Sequence, residues 1–328
     1  MTEPIKNTFS GGDCNVIEVE NLTKDYGSGR GVFNVSLKVK TSEVFGFLGP
    51  NGAGKSTTIR HLMGFSKPQS GKTLIFGKPT FDKYNEILPH VGYIPGEIAL
   101  PQGLTGEEFL KMMQSLQGIK NDERLKEMRD LFELSDSDIK IDSKHLSLGV
   151  KRKLAVVSAF MHDPDVLILD EPTSGLDPVM QEVFVEFIHK EKSRGKTILL
   201  SSHIFTEIDS TCDRIAIIKD GRIVSQFIAD DLKHASKKCY TIKFSNEAGL
   251  KKFVEQAKEL NSFSFIKEEI GEEGENALIA SLDDGDINAA VKLMAEHGAI
   301  DFSNRRESLE DYFMKFYKEE KNFGGAFK

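Results

Sequence analysis

The hydrophobic pattern at the start of the chain predicts strands of two kinds. Residues 16–20 alternate apolar and acidic positions, and residues 33–39 alternate again after a glycine-rich turn, which predicts two half-exposed antiparallel strands. A short apolar run follows at Val44–Leu48, and such runs are typical of buried parallel strands. Helical spacing then begins near Thr57. The predicted order is therefore antiparallel strands, a buried strand, a glycine-rich loop and a helix.

The middle of the chain predicts a group of helices inside an α/β core. Between about residues 104 and 134 the apolar spacing is helical, and Thr105 with Glu108 forms a capping box. Beyond these helices the chain returns to buried strands, separated by a helical stretch at 179–192. We therefore expect an α/β core that is interrupted by a helical insertion at about 98–147. The strands are predicted at 166–169, 197–200 and 215–218. One face of the first helix carries Phe109, Met112, Met113 and Leu116.

Beyond about residue 235 the elements become shorter and more charged. Their predicted order is strand, helix, strand, strand, helix, strand, which is the order of a split βαβ, ferredoxin-like module, unless 271–274 is only an acidic loop. A final helix is capped by Ser308 with Asp311. We expect a large α/β domain followed by a small α+β domain. The predicted boundaries are a disordered tail at 1–14, the large domain at 15–235, the small domain at 236–320 and a second tail at 321–328.

Composition and charge exclude several classes of protein. The longest apolar stretch, Leu154–Met161, falls far short of the roughly 18 residues that a membrane span needs, and residues 1–15 lack the order of a secretory signal. Three cysteines without metal-ligand spacing fit a reducing compartment. The 43 basic and 51 acidic residues give a net charge of −8, and no long basic block is present, so general nucleic-acid binding is not expected. A polyanion would need a local binding device.

A glycine-rich segment between the strand at 44–48 and the helix near Thr57 provides such a device. It matches the pattern G-x-x-x-x-G-K-[ST], in which backbone amides curl around phosphate oxygens at a helix N-terminus. Lys55 would reach the β and γ phosphates, and Ser56 would offer its hydroxyl to Mg²⁺. The segment therefore predicts a magnesium nucleotide. The predicted nucleotide-binding residues are Gly49, Pro50, Asn51, Gly52, Ala53, Gly54, Lys55, Ser56 and Thr57.

Two carboxylates follow the buried strand at 166–169. Asp170 ends that strand and would bind Mg²⁺ directly or through water. Glu171 comes next, beside the expected position of the terminal phosphate, where it would orient or deprotonate the attacking water. Such a pair taken alone is more often part of a solvated loop. Beside a phosphate-binding loop, a role in hydrolysis is the better interpretation.

Three further segments complete the pattern of a known family. Residues 146–149 (L-S-L-G), residues 170–177 (D-E-P-T-S-G-L-D) and His203 resemble the signature, the Walker B motif with its D-loop, and the H-loop of the ATP-binding cassette (ABC) family. The similarity covers about residues 16–232, and the chain most resembles the ATPase subunits of exporters whose permease is a separate polypeptide. The resemblance implies a P-loop NTPase cassette with a parallel core sheet, an antiparallel β subdomain and a helical insertion, which binds ATP with Mg²⁺.

The resemblance also implies roles for individual residues. Ser147 and Gly149 begin a helix and so form a second anion site, which would close on the ATP held by Lys55 of another subunit. Tyr26 would stack on adenine, and His203 would contact the γ-phosphate and hold the water and Glu171 in place. A homodimer or a heterodimer with a related ATPase is implied. The signature consists of Leu146, Ser147, Leu148 and Gly149, and the D-loop of Ser174, Gly175, Leu176 and Asp177.

The chain departs from the family pattern at two places. Where a glutamine usually follows the strand at 91–94, this chain has Gly96 and then Glu97. Glu97 would take the role of the glutamine, or Gln102 would swing in, or the function is absent; the sequence leaves these alternatives open. In the signature, Leu148 and Val150 replace residues of the usual L-S-G-G-Q. The serine and the glycine that supply the phosphate contacts are kept, so a closed dimer is still expected.

A transport ATPase is the function that the sequence favours. ATP would close the dimer, hydrolysis assisted by Glu171 would open it, and the motion would pass through the helical insertion to a membrane permease. The cleft at 93–104 would receive a short permease helix, unless it is a simple hinge loop. The protein would then lie in the cytoplasm, peripheral at the inner face of the cell membrane. The cargo, the transport direction and the role of the small domain stay open.

Two other classes of function compete with transport. A soluble cassette ATPase acting on nucleic acid or ribosomes would usually carry two cassettes, coiled-coil arms or zinc modules, and the sequence has one phosphate loop, no heptad run and no cysteine cluster. A module that senses ATP without turnover is disfavoured by Glu171 and His203. The altered segment at 96–97 keeps that alternative open.

Overall fold

The computed structural model describes residues 14–118, 120–233, 238–260, 263–270, 276–283, 285–305 and 308–318. Residues 1–13 of the predicted tail at 1–14, the predicted tail at 321–328 and the acidic loop at 271–274 lie outside these residues. The chain divides into two compact units, Met1–Phe227 and Ile228–Lys328. Within the described residues, none of the helices has both the length and the apolar character that a membrane span requires.

The first unit contains both strands and helices. The strands are β1 (Asn15–Gly27), β2 (Arg30–Lys40), β3 (Val44–Leu48), β4 (Ser70–Ile75), β5 (Lys78–Pro79), β6 (Val91–Ile94), β7 (Val166–Asp170), β8 (Thr197–Ser202), β9 (Arg214–Lys219) and β10 (Arg222–Ile228). The helices are α1 (Lys55–Leu62), α2 (Tyr84–Ile87), α3 (Gly106–Gln117), α4 (Asp122–Leu131), α5 (Asp136–Ile139), α6 (Leu148–Phe160), α7 (Pro178–Ser193) and α8 (Phe205–Thr211), with short 3-10 helices at Leu88–His90 and Ser143–His145.

A six-stranded sheet forms the centre of this unit, in the order β10-β9-β3-β8-β7-β6. Strands β9, β3, β8, β7 and β6 pair in parallel, and all residues of β3 and β7 are buried. Continuous apolar runs suit these strands because both faces of a parallel sheet are covered. The register places Leu48 beside Ser202 and Asp170 beside Ser201. The loops that follow β3, β7 and β8 therefore begin at one edge of the sheet.

A second sheet packs beside the first, as the alternating pattern predicts. Its order is β2-β1-β4-β5, and its strand pairs are antiparallel. Alternate residues of β2 are buried, among them Val35, Leu37 and Val39. They join one hydrophobic cluster with Phe47 of β3 and Ile59 of α1. This cluster fixes the strand and the helix that border the glycine-rich loop.

The helices between β6 and β7 form the insertion that the sequence predicts. The capping box of α3 is confirmed, because Thr105 Oγ1 accepts from the Glu108 amide at 3.2 Å and the Glu108 carboxylate accepts from the Thr105 amide at 2.8 Å. Leu116, which its spacing places on the same helix face as the buried Phe109, is 73% exposed. Gly106 in the first turn of α3 lies against Ile139 and Leu154. At the other end of the helix Gln117 Nε2 donates to the Ser158 carbonyl oxygen at 3.2 Å, so α3 packs against α6 on a side that does not include Leu116.

A buried ion cluster joins the insertion to the core. Arg124 of α4 donates to Glu191 of α7 at 2.6 Å, and these side chains are only 6% and 1% exposed. Arg194 donates to both oxygens of the same carboxylate, at 3.0 and 2.9 Å. Arg124 also pairs with Glu127 and lies over the ring of Phe187. One carboxylate thus holds two guanidinium groups, one of which belongs to the insertion.

The second unit has its own sheet and its own core. Its strand order is β12-β13-β11-β14, with antiparallel neighbours, and the order of elements along the chain is the one predicted for a split βαβ module. Ile242, Phe244 and Phe253 are fully buried in its core. The cap of the last helix is confirmed, since the Asp311 amide donates to Ser308 Oγ at 3.1 Å. Its elements are α9 (Ala229–Lys233), β11 (Lys238–Phe244), α10 (Glu247–Ala257), β12 (Ser264–Ile270), β13 (Asn276–Leu282), α11 (Ile287–Glu296), β14 (Ala299–Arg305) and α12 (Leu309–Lys318).

Candidate functional site

The loop between β3 and α1 needs glycine for steric reasons. A Cβ atom at Gly49 would lie 2.5 Å from the carbonyl oxygen of Ile218, and one at Gly54 would lie 2.8 Å from Val32 Cγ1. Gly54 also has a φ of 111°, which side-chain-bearing residues rarely adopt. The loop therefore packs tightly against the sheet and leads directly into the N-terminus of α1.

Lys55 places a positive charge inside this loop. Its side chain is 5% exposed, and its Nζ donates to the carbonyl oxygens of Gly49 at 2.5 Å and Pro50 at 3.2 Å. The same Nζ lies 3.0 Å from Glu171 Oε1. Because Lys55 is also the first residue of α1, the ammonium group and the helix N-terminus act on the same region. The predicted loop thus combines a lysine ammonium group with a helix N-terminus, and both attract anions such as phosphate groups.

The carboxylate of Glu171 lies between this lysine and His203. Its Oε2 is 2.7 Å from His203 Nδ1, while its Oε1 faces Lys55. The backbone of Glu171 is left-handed, with a φ of 49°, and its amide donates to the carbonyl oxygen of Ser201 at 3.0 Å. The chain turns sharply at the end of β7 as a result. The two residues predicted to be catalytic are therefore in direct contact, beside the phosphate loop.

Asp170 is buried at the end of β7, next to the backbone of Gly96. Ser201 Oγ donates to Asp170 Oδ1 at 2.5 Å, and a Cβ atom at Gly96 would lie 3.1 Å from Oδ2. Burial and the nearby Asp170 raise the pKa of Tyr93 to about 12. Carboxylate and hydroxyl oxygens are the ligands that Mg²⁺ prefers, and half-buried Ser56 follows Lys55 in the first turn of α1. The donor set therefore fits Mg²⁺ with a nucleotide.

The signature segment and the D-loop contact each other within one chain. Ser147 caps α6, and its Oγ accepts from the Val150 amide at 3.2 Å, so this amide is satisfied within the helix. Leu148 is 59% exposed and lies against Gly175, where an added Cβ atom would be 2.9 Å from Leu148 Cγ. A Cβ atom at Gly149 would lie 3.3 Å from the Gly175 carbonyl oxygen. The exposed end of α6 is therefore supported by the D-loop.

The D-loop is a compact turn that continues from Glu171. The Ser174 amide donates to the Glu171 carbonyl oxygen at 3.2 Å, and Leu176 is buried. Asp177 caps α7, since its Oδ1 accepts from the Met180 amide at 3.0 Å. The D-loop therefore links the backbone of Glu171 to the N-terminus of α7.

The other predicted residues lie in exposed positions. Tyr26 stands at the end of β1 with its ring exposed, and Lys24 Nζ lies 5.7 Å from the ring centroid. Glu97 and Gln102, proposed as substitutes for the family glutamine, both have exposed side chains. Gly96 itself, at the glutamine position, is the residue whose backbone borders Asp170.

Sequence reasoning missed two buried charged residues near the site. Arg152 of α6 is 2% exposed and donates to the carbonyl oxygens of two different loops. Glu207 of α8 is 5% exposed, and burial raises its pKa to about 7. It lines a cavity of about 510 Å³ between α7 and α8. In the sequence, Arg152 could have been noticed as an arginine inside an apolar helical stripe, and Glu207 as a glutamate one turn after His203.

Comparison with protein families and known sequences points in one direction. A family model described as "ABC transporter" matches residues 32–174. The bacitracin transport ATP-binding protein BcrA of Bacillus licheniformis is 35% identical over 303 residues, which is 92% of this chain and 96% of that protein. The Nod factor export ATP-binding protein I of Burkholderia orbicola is 36% identical over 212 residues, covering 64% of this chain and 70% of that protein.

Solved structures agree with this similarity. The structure of an ATP-binding subunit of an ABC transporter matches with a TM-score of 0.62 and 32% identity, over 67% of this chain and 92% of that one. A dimeric ATP-binding cassette in a post-hydrolysis state, bound to ADP and Pi, matches with a TM-score of 0.59 over 65% of this chain and 98% of that one. At 24% sequence identity, this structural match shows a shared fold and nothing more.

Proposed function

The chain belongs to the ABC transporter family, as an ATP-binding and ATP-hydrolysing subunit, and we propose that Glu171 is the base of its hydrolytic site. The observation that carries this proposal is the position of the Glu171 carboxylate, 3.0 Å from Lys55 Nζ and 2.7 Å from His203 Nδ1. Lys55 is part of the phosphate loop, so the carboxylate stands where a terminal phosphate and its attacking water would meet. No other carboxylate among the described residues contacts both groups.

Each residue of this group has a defined task in hydrolysis. Water attacks the γ-phosphorus, the bond from that phosphorus to the bridging oxygen of ADP breaks, and Glu171 accepts the proton of the water. Lys55 attracts the β and γ phosphates, and His203 orients the Glu171 carboxylate through its ring nitrogen. Such catalysis depends mainly on positioning and on charge stabilisation, which a buried lysine and a fixed carboxylate supply.

Mg²⁺ and ATP fit the residues around this group. Ser56 and Asp170 would hold the ion, which when bound neutralises charge on the phosphates. The amides of residues 49–57 would cradle the triphosphate, and Tyr26 would stack on the adenine ring. The exposed ring of Tyr26 and the tight approach of Gly49 and Gly54 to the sheet support these assignments.

A second subunit would complete the site. The exposed end of α6, with Ser147, Leu148 and Gly149, would close on the ATP held by Lys55 of its partner, which is a second copy or a related ATPase. The solved dimeric cassette supports this arrangement. The partner in the membrane would be a separate permease that docks at the cleft of residues 93–104 and holds the dimer at the inner face of the membrane. Relatives named for bacitracin transport and Nod factor export favour an exporter, without identifying the cargo.

A Glu171→Gln variant of the full-length chain tests the proposal. ATP should still bind, because Lys55 and the loop are intact, whereas turnover should fall about 100-fold or more because the base is lost. The variant should accumulate as an ATP-dependent dimer in size-exclusion chromatography with light scattering. Lys55→Ala serves as the matched control and should neither bind ATP nor dimerise. Wild-type turnover in Glu171→Gln, or a monomer at saturating ATP, would refute the assignment.

A further inference from the structure

Arg152 connects its own helix, α6, to two loops of the candidate site that are far apart in sequence. Its Nε donates to the Ser174 carbonyl oxygen at 2.7 Å, its Nη1 to that of Pro95 at 3.0 Å and its Nη2 to that of Gly96 at 2.9 Å. The side chain is fully enclosed. A guanidinium presents its donors in a fixed planar fork, so these three contacts hold the three carbonyl groups in one geometry.

The carbonyl groups belong to the two loops that border the acidic pair. Gly96 follows β6, and its backbone borders the Asp170 carboxylate. Ser174 lies in the turn whose amide donates to the Glu171 carbonyl oxygen. Burial lowers the pKa of the Arg152 guanidinium, whereas Asp170 and Glu171 favour its charged form. The arginine thus depends electrostatically on the same carboxylates whose loops it fixes.

Arg152 itself stands one turn inside α6, and this helix begins at the signature. Ser147 caps the helix, and Leu148 presents its exposed side chain beside the cap. A short, rigid segment therefore separates the end proposed to bind the partner's nucleotide from the guanidinium. A small displacement of a buried group that makes three hydrogen bonds must be followed by its partners, because close-packed interiors do not deform continuously.

We infer that Arg152 is a positioning residue that couples the engagement of the Ser147 end of α6 to the geometry of Asp170 and Glu171 in the same subunit. This inference rests on the proposed function, since it requires the partner's nucleotide at that end. Arg152 would align the loop after β6 and the D-loop only when α6 is held in place, so each subunit would hydrolyse its own ATP efficiently only in the closed dimer. Two sites coupled in this way should give cooperative turnover.

The test compares Arg152→Lys and Arg152→Gln with Lys153→Gln, all in the full-length chain. Lys153 is the neighbouring basic residue on the same helix, half-buried and outside the three contacts. A lysine keeps the charge but offers one point donor, which cannot span three carbonyl groups. Both Arg152 variants should therefore lose about 10- to 100-fold in kcat, while KM for ATP stays within about threefold of wild type. Their Hill coefficient should fall to about 1, and Lys153→Gln should match wild type in all three parameters.

Two outcomes would overturn the inference. One is wild-type kcat and cooperativity in both Arg152 variants. The other is a parallel loss of ATP affinity, thermal stability and kcat in both, which indicates a purely structural role. The Arg152→Lys and Arg152→Gln substitutions are also made in the Glu171→Gln background, where ATP-dependent dimerisation should persist. If Glu171→Gln alone fails to dimerise, the proposed function fails; if it dimerises and the Arg152 variants turn over normally, only the coupling role fails.

Discussion

Replacing Glu191 by glutamine should strongly destabilise the first unit of the chain. The Glu191 carboxylate is 1% exposed and accepts from Arg124 at 2.6 Å, and Arg124 is itself 6% exposed. Removing one partner of a buried ion pair costs about 3–5 kcal/mol, and the lower end of this range applies because Arg124 keeps its pair with Glu127, which is 41% exposed. Arg194 is about one-third exposed, so its contacts with the same carboxylate add about 1 kcal/mol at most. We therefore expect a loss of about 4 kcal/mol.

For a unit of this length, about 1 kcal/mol corresponds to a change of about 2–4 °C in Tm, so the transition of the first unit should move down by about 10 °C. Differential scanning calorimetry of the full-length chain measures this change. Glu186→Gln, an exposed position on the same helix, is the matched control and should leave Tm unchanged.

A double variant separates lost charge pairing from lost packing. Arg124→Met with Glu191→Leu removes both charges and keeps apolar volume, and such replacements of buried ion pairs are often neutral. It should recover more than half of the stability that Glu191→Gln loses. A Tm change below about 2 °C in Glu191→Gln would mean that water or neighbouring groups solvate Arg124, and the reasoning from burial would be wrong.

Two further predictions concern residues around Glu171. Burial raises the pKa of Glu207 to about 7 in the folded chain, which is above the value near 4.5 in the unfolded chain. The free energy of unfolding therefore contains the full contribution of protonated Glu207 below about pH 4.5. It loses about 3 kcal/mol of that contribution as pH rises to about 7. Glu207→Gln should therefore be more stable relative to wild type at pH 8 than at pH 5, and an equal difference at both pH values in urea unfolding would contradict this. Gly96→Ala would place a Cβ atom 3.1 Å from Asp170 Oδ2, so its kcat should fall about tenfold without loss of ATP binding. Gly285→Ala, where a Cβ atom meets nothing within 4 Å, is the control, and equal kcat in the two variants would count against a tight contact.

Local and strand-end features of this protein could be predicted from the sequence, because their causes lie close together in the chain. The Thr105 cap depends on a residue three positions away, and it is present as predicted. Lys55 and Glu171 are far apart in sequence, yet parallel strands bring the loops after β3 and β7 to one edge of a sheet. The contact between them follows from that topology.

Features that depend on distant partners could not be predicted in this way. An arginine in a helix usually indicates a solvent-facing position, but the hydrogen-bond acceptors of Arg152 are 22 to 57 residues away and become visible only in the folded chain. Leu116 fits the helical stripe by spacing, although it lies on the exposed side of the last turn of α3. For Glu97 the sequence left several roles open. In the structure its side chain is exposed, and the residue that borders Asp170 is Gly96, through its backbone.

The left-handed backbone at Glu171 also constrains how this protein can diverge. Glycine, asparagine and aspartate tolerate a φ near 49°, whereas valine, isoleucine and threonine do so only at considerable cost. A lineage that abandons hydrolysis while preserving the turn after β7 would therefore keep a small or polar residue there.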